Sequence, residues 1–392
     1  MRILFIHNRY QQPGGEERAV LSECLLLQQK GHTAEILYFD TEQTNSISEK
    51  MKQAMRSVFN RRSYNITLQK INAFNPDIIH VHNLFFEASP SVLYAAKKKH
   101  IPVVATIHNY RLICSNALLI RNNSICELCV QKTFPLHGVY YKCYRSSALA
   151  SATVTGITGI YKLLNNWKNN IHTYIFLTEF ARKKIVHSSL RLFEQQGTVK
   201  PNFTNDRGMG EINRENFFLF AGRISSEKGV DFLLKAFSNM PGEQLYIAGD
   251  GPLKQLLQEQ YRQFTNIHFK GRLENNDLIE LMKKSKALLF PSLWYEGLPV
   301  TIAEAFSTGT PVLASKLGAM ETMITDSYNG LHFNPGDAED IKRTVKAFNH
   351  FTDKTILYKN ARQTYLDFYT PEKHYESIMN IYSKLVWKKQ TA

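Results

Sequence analysis

What this chain lacks narrows it first. No apolar run reaches the roughly 20 residues that a membrane-spanning helix needs. The nearest approach, residues 146–161, carries no charge but is filled with Ser, Thr and Gly. The N-terminal stretch has only a short apolar run, broken by His7 and Arg9. It lacks the plan of a signal peptide and reads as a first β-strand. Recognisable RNA-binding, zinc-finger or helix-turn-helix patterns are missing, and the basic residues are dispersed, so nucleic-acid binding is left resting on charge alone. Cysteine is scarce: five residues, four of them in one stretch. These absences lead us to expect a cytoplasmic protein, with association at the inner face of the membrane as an extension of that reading.

Acid is also in short supply. Against 48 Lys and Arg stand 34 Asp and Glu, a formal net charge of +14. Such an excess points to acidic partners: phosphates, nucleic acid or an anionic membrane face. Residues 50–70 hold Lys50, Lys52, Arg56, Arg61, Arg62 and Lys70 without an acid, with Met51, Met55, Val58 and Phe59 interleaved at near-helical spacing. This is the pattern of a basic amphipathic helix for an anionic surface, or of a surface helix with a solvated basic face.

What is present is an α/β chain. Its 392 residues are too many for one ordinary core and imply two domains. Strands are expected at residues 2–8, 33–39, 76–82, 101–107, 173–180, 217–221, 244–248, 267–273 and 287–290. A helix is expected over 18–30, closed by Gly31. Between the first strand and that helix lie Gly14 and Gly15, either a phosphate cradle or a plain tight turn. His80 and His82 share one side of their strand; histidines at this spacing can bind metal, but the expectation here is that they line the sheet's carboxyl edge or fill the core. His108 stands at the carboxyl end of the strand 101–107, the edge where open α/β sheets bind ligands. Arg223 and Lys228, five apart on the loop after strand 217–221, can clamp a diphosphate, Arg by its fork and Lys as a point charge.

The stretch from Phe290 to Phe306 is the densest in chemistry. A buried strand runs into a Pro/Gly loop and then a helix. Glu296 lies in the loop and Glu304 about two turns into the helix, close enough together to reach groups on the order of 10 Å apart. Carboxylates are paired acceptors for vicinal hydroxyls. Gly297 and Leu298, at the helix start between them, offer backbone N–H groups to a phosphate. The span suits a ligand with two polyhydroxyl ends, such as a sugar nucleotide.

Cys114, Cys126, Cys129 and Cys143 form Cys-x11-Cys-x2-Cys-x13-Cys in an irregular stretch rich in Asn, Arg and Lys. The inner pair has metal-ligand spacing, and the outer pair completes four thiolates for a structural Zn2+; four ordinary thiols are the alternative. Disulfides are disfavoured in a reducing compartment.

Glu296-x7-Glu304 with its flanks resembles the signature of retaining GT-B glycosyltransferases, the family usually called GT4. The resemblance continues through Gly309-Thr-Pro-Val-Leu-Ala314 and Gly330-Leu-His-Phe333. Arg223 and Lys228 match that family's Arg-x4-Lys motif, and Gly14-Gly15-x-Glu17 its loop after the first strand. Asn109 replaces the usual Asp after the His, and Gly318-Ala319 stands where Gly-Gly is commoner. The likeness covers the second domain well and the first loosely, with the cysteine-bearing segment outside the general pattern.

The resemblance implies two facing Rossmann-like domains with a cleft between them: an acceptor-side domain over 1–203 with an insertion at 110–145, a nucleotide-sugar-binding domain over 204–371, and a final helix, 372–392, packing back on the first domain. It implies a retaining, hexosyltransferase-type glycosyltransferase. A UDP- or GDP-sugar would be the donor and a glycan or lipid-linked glycan the acceptor, in cell-surface polysaccharide biosynthesis. Arg223 and Lys228 would hold the diphosphate, Glu296 the sugar hydroxyls and Glu304 the ribose diol. Backbone at Arg272 and Leu273 would face the base. Gly14 and Gly15 would lie by the diphosphate or acceptor, and His108 would orient the sugar. No catalytic metal is expected, since the chain has no Asp-x-Asp. A sugar-nucleotide epimerase of the same fold, and more remotely a basic nucleic-acid-binding protein, are the alternatives.

Overall fold

The structure is a computed structural model, and it describes residues 1–9, 14–40 and 57–390. Lys50, Met51, Lys52, Met55 and Arg56 of the expected basic helix lie outside the described residues. The chain divides into two compact units, Met1–Leu119 with Cys126–Lys200 and Tyr375–Ala392, and Ile120–Ile125 with Pro201–His374.

The first unit is built on strands β1 (Arg2–Arg9), β2 (Thr33–Asp40), β3 (Ile78–Asn83) and β4 (Val103–Ile107). After β4 the chain makes a short hairpin that belongs to the second unit, β5 (Ile120–Arg121) and β6 (Ser124–Ile125), and the first unit continues with β7 (Thr173–Phe176) and β8 (Gly197–Val199). All but the hairpin form one parallel sheet in the order β2-β1-β3-β4-β7-β8. In β1 every residue from Ile3 to Asn8 is buried, because helices cover both faces of such a sheet. The last helix, Pro371–Gln390, contributes Ile378 and Tyr382 to the same core as Ile3, Phe5 and Val20. Strand order reverses at β1 and β3, and a crevice opens at the carboxyl ends of strands where such a reversal occurs.

The second unit carries β9 (Phe217–Ala221), β10 (Gln244–Ala248), β11 (Ile267–Gly271), β12 (Leu288–Phe290), β13 (Val312–Ser315) and β14 (Gly330–Phe333). They form a parallel sheet in the order β11-β10-β9-β12-β13-β14. Renumbered from its own first strand this is 3-2-1-4-5-6, the dinucleotide-binding order, whose reversal lies between β9 and β12. One apolar core fills each face of that sheet.

Several element ends differ from expectation for local reasons. The strand expected to run through residue 180 stops at Phe176, because the Thr178 hydroxyl accepts the Ala181 N–H and caps a helix over Glu179–Val186. The strand expected to reach Leu273 ends at Gly271, whose φ of 70° turns the chain away. The first helix starts at Gly15 rather than at residue 18, with Gly14 as its cap. Glu304 sits just over one turn into its helix, not two, since that helix begins at Val300.

Candidate active site

In the second unit the two loops at the strand reversal are joined. After β9 the chain passes Gly222 and Arg223, makes a single 3-10 turn over Ser226–Lys228, and enters the helix Val230–Ser238. After β12 it runs from Pro291 to Pro299 and enters the helix Val300–Ser307. The Leu293 N–H donates to the Glu227 carbonyl at 2.9 Å. Gly229, with φ of 65°, lies so close to the second loop that an added Cβ would be 2.1 Å from the Pro291 carbonyl oxygen. Only glycine accommodates both the left-handed backbone and that approach. Gly229→Ala is expected to cost about 1–3 kcal/mol and to raise the donor KM by spreading the loops. Urea melts and donor titrations check this, and a variant unchanged in both would refute it.

Lys228 and Glu296 meet across these loops. Lys228 Nζ donates to Glu296 Oε1 at 2.6 Å, and the same oxygen accepts the Ser292 hydroxyl at 2.8 Å and the Trp294 indole N–H at 2.7 Å. Glu296 is buried. The ammonium also lies 5.4 Å from the Trp294 ring and 5.5 Å from that of Phe290. A cation is thus held in one place at the carboxyl edge of the sheet. Arg223, on the same loop, is exposed and makes no ion pair or hydrogen bond among the described residues. Glu227 does not hold it, since its Oε1 accepts from Ser225 at 2.6 Å. Half-buried Gly297 and Leu298 occupy the Glu296 loop, and Glu304 follows in the helix. Arg272 and Leu273 follow β11, where the Gly249 N–H donates to the Gly271 carbonyl at 2.7 Å. The structure therefore gathers the sequence-predicted residues of this unit along one sheet edge. Ser292 and Trp294 were missed: both lie in the motif loop, but nothing in the sequence marks them as donors to Glu296.

In the first unit, Gly14 and Gly15 open the helix Gly15–Gln29 with ordinary negative-φ backbone, and a Cβ on either would meet nothing within 4 Å. The fold does not require glycine there, and space lies beside both. Asn109 Nδ2 is 3.4 Å from Glu16 Oε2, an amide-to-carboxylate contact that an Asp at this position could not make. Half-buried His108 shares a 2.8 Å hydrogen bond between its Nε2 and Nδ1 of His82. A small cavity of about 40 Å3 lies here, lined by His82, His108, Asn109 and Arg111 among others.

Behind His82 runs a buried polar chain. Glu23 is 2.9 Å from Lys200 Nζ and 3.0 Å from His80 Nδ1; His80 also bonds the Tyr382 hydroxyl and, through Nε2, Thr106 Oγ1, both at 2.7 Å. Among the described residues, Glu23, His80 and His82 form the one set of metal-type ligand atoms within 4.8 Å of one another. Both His80 nitrogens are committed and Lys200 already supplies the positive charge, so the set reads as a buried ion-pair network.

Burial keeps these histidines neutral. It pushes His7 down to about 4, with help from Arg9, and His108 to about 3, both from an ordinary 6.5. His82 is lowered in the same direction, chiefly by burial. In the window from about pH 4 to 6.5, the unfolded chain binds protons that the folded chain refuses. Stability therefore rises with pH through that window and is lost as pH falls, by about 1.4 kcal/mol per pH unit for each such histidine. Urea melts between pH 7 and pH 5 are expected to show this slope, shallower in His7→Asn. An equal slope in that variant would refute the assignment.

Among the described residues no disulfide joins the cysteines. Burial raises Cys114, and raises Cys129 to about 11 with help from Cys114, so neither is poised as a nucleophile. No three of the four expected ligand sulfurs lie within 4.8 Å of one another.

Comparison with known proteins agrees with this layout. Residues 202–364 match the family described as glycosyl transferases group 1, and residues 13–145 match glycosyltransferase family 4. An uncharacterized glycosyltransferase of Methanocaldococcus jannaschii is 25% identical over 219 residues, 53% of this chain and 55% of that protein. The Escherichia coli UDP-Gal:alpha-D-GlcNAc-diphosphoundecaprenol alpha-1,3-galactosyltransferase is 28% identical over 192 residues, 45% of this chain and 48% of the relative. The chain thus spans about half the length of these curated relatives. In fold it resembles the crystal structure of HepE from Anabaena in complex with UDP, at a TM-score of 0.66 and 15% identity over 98% of this chain and 100% of that one. With a glycosyltransferase family matched in each half, the chain belongs to the GT4-type glycosyltransferases, and its likeness to HepE along nearly its whole length gives it the GT-B fold.

Proposed function

We propose that this protein is a retaining glycosyltransferase that moves a sugar from a nucleotide-activated donor to a glycan or lipid-linked glycan in cell-surface polysaccharide synthesis. The observation that carries the reading is Lys228, held at 2.6 Å by a buried Glu296 at the strand reversal of a dinucleotide-type sheet. When the bond from the anomeric carbon to the diphosphate oxygen breaks, negative charge grows on that oxygen. A preorganised ammonium, with Arg223 and the N–H groups of Gly297 and Leu298 beside it, stabilises that charge more in the transition state than in the ground state. The acceptor oxygen forms the new bond on the same face, and the departing diphosphate takes its proton. Glu296 and Glu304 serve the donor sugar and ribose hydroxyls, Arg272 and Leu273 the base, Gly14 and Gly15 the diphosphate or acceptor, and neutral His108 the sugar. No divalent metal is assigned to the leaving group.

A UDP donor is supported by the UDP named with HepE and the UDP-Gal named for the E. coli relative. That relative's lipid diphosphate acceptor supports a membrane-proximal one. So does the short helix Leu136–Tyr140, where Leu136 and Tyr140 are 63% and 79% exposed near exposed Lys132, Lys142 and Arg145. No helix of the described residues is long and apolar enough to cross a membrane. The test is a panel of UDP-, GDP- and ADP-sugars read by thermal shift and nucleoside diphosphate release, with the product anomer read by NMR. One nucleotide class should stabilise the protein and turn over. A flat panel would overturn the assignment, and an inverted anomer would overturn retention.

A further inference from the structure

We propose that Cys114, Cys126, Cys129 and Cys143 form a structural zinc site that fixes the irregular segment following His108. The fold brings the four together through two residues. Leu119 serves the first pair: its carbonyl accepts the Cys126 N–H at 2.8 Å, and its own N–H faces Cys114 Sγ. Gly138 serves the second: its carbonyl accepts the Cys143 N–H at 2.8 Å, and its N–H faces Cys129 Sγ. The pairs are themselves adjacent. Gly138 lies against Ser115, the neighbour of Cys114, so closely that a Cβ would meet Ser115 Oγ at 2.3 Å. Cys126 and Cys129 are three residues apart.

Three further features fit a metal. Cys114 Sγ is faced by the N–H groups of Leu119 and Asn116, backbone donors of the kind a metal-bound thiolate accepts, and its thiol donates to Asn116 Oδ1 at 2.9 Å, a proton that metal binding would release. The segment has little regular structure to hold it: a hairpin with two residues per strand and a helix of five. Yet Ala117, Leu119, Asn122, Asn123, Lys142, Arg145 and Ser146 all keep a positive φ, seven of the fourteen such non-glycine residues described. Backbone of this kind persists where surroundings over-determine it. Four thiolates in a tetrahedron select Zn2+ or an iron–sulfur cluster, and the Cys-x2-Cys spacing suits zinc. With Zn–S bonds of about 2.3 Å the sulfurs would stand about 3.8 Å apart, so binding draws them inward from their present spacing.

Elemental analysis of the full chain, purified without metal-affinity resin or chelator, tests this. About one zinc per chain is expected, retained in Cys24→Ser and lost from Cys126→Ser and Cys129→Ser. Should those variants fail to fold, the wild-type chain is read instead: a mercurial reagent releases the zinc, and Co2+ added to the reduced, metal-stripped chain gives thiolate-to-cobalt absorption. Zinc below about a tenth per chain with no cobalt–thiolate absorption would overturn the proposal, as would iron and acid-labile sulfide in place of zinc. None of these readouts depends on sugar transfer, so failure here leaves the transferase reading standing.

Discussion

Replacing Lys228 by alanine is expected to lower kcat/KM for the nucleotide-sugar by about 10²–10³-fold, the usual cost of one preorganised donor to developing negative charge. The loss should fall mainly on kcat, because the ammonium faces more charge in the transition state than in the bound donor. Lys228→Arg should not restore it. The pocket formed by Glu296 Oε1 and the Trp294 and Phe290 rings is shaped for a point charge, and a planar fork cannot occupy it without breaking the 2.6 Å contact. Steady-state release of nucleoside diphosphate is the measurement. A loss smaller than threefold in Lys228→Ala would remove the residue from the mechanism.

The second large effect is on stability. Glu23→Ala is expected to destabilise the first unit by about 3–5 kcal/mol, since it strands a buried cation. Lys200 and Glu23 are 1% and 3% exposed in their side chains, and no solvent can replace the lost partner. Burial already lowers the Lys200 pKa, with Glu23 opposing it. The double variant Glu23→Leu with Lys200→Met should recover most of the loss, because removing both charges removes the desolvation cost as well. Urea denaturation with a probe in the first unit separates its transition from that of the second. If Glu23→Ala cost less than about 1 kcal/mol, or if the double variant were no better, the buried pair would not be the anchor of this core.

The donor-side loops were legible in sequence because their residue types are dictated locally. Glycines, a Lys and an Arg after one strand, and a Pro/Gly loop with a Glu after another, mark the carboxyl ends of parallel strands whatever else the chain does. Their partnership was not legible. Lys228 and Glu296 are 68 residues apart, and only the placement of β12 beside β9 makes them neighbours. The same holds for His82 and His108, 26 residues apart at the ends of adjacent strands. Glu23 was invisible for a different reason. A Glu on an amphipathic helix reads as solvent-facing, and the lysine that permits its burial lies 177 residues away. Short strands such as β8, β13 and β14 were not expected as separate elements, since three or four apolar residues carry no period to read.

The crossing of Gly229 over the Pro291 carbonyl ties together two segments that the chain order keeps far apart. Attempts to change donor preference by grafting residues 291–299 alone from a relative will therefore import a mismatch at 227–229. The transplantable unit is the pair, and chimeras that carry both should keep their solubility where single grafts lose it.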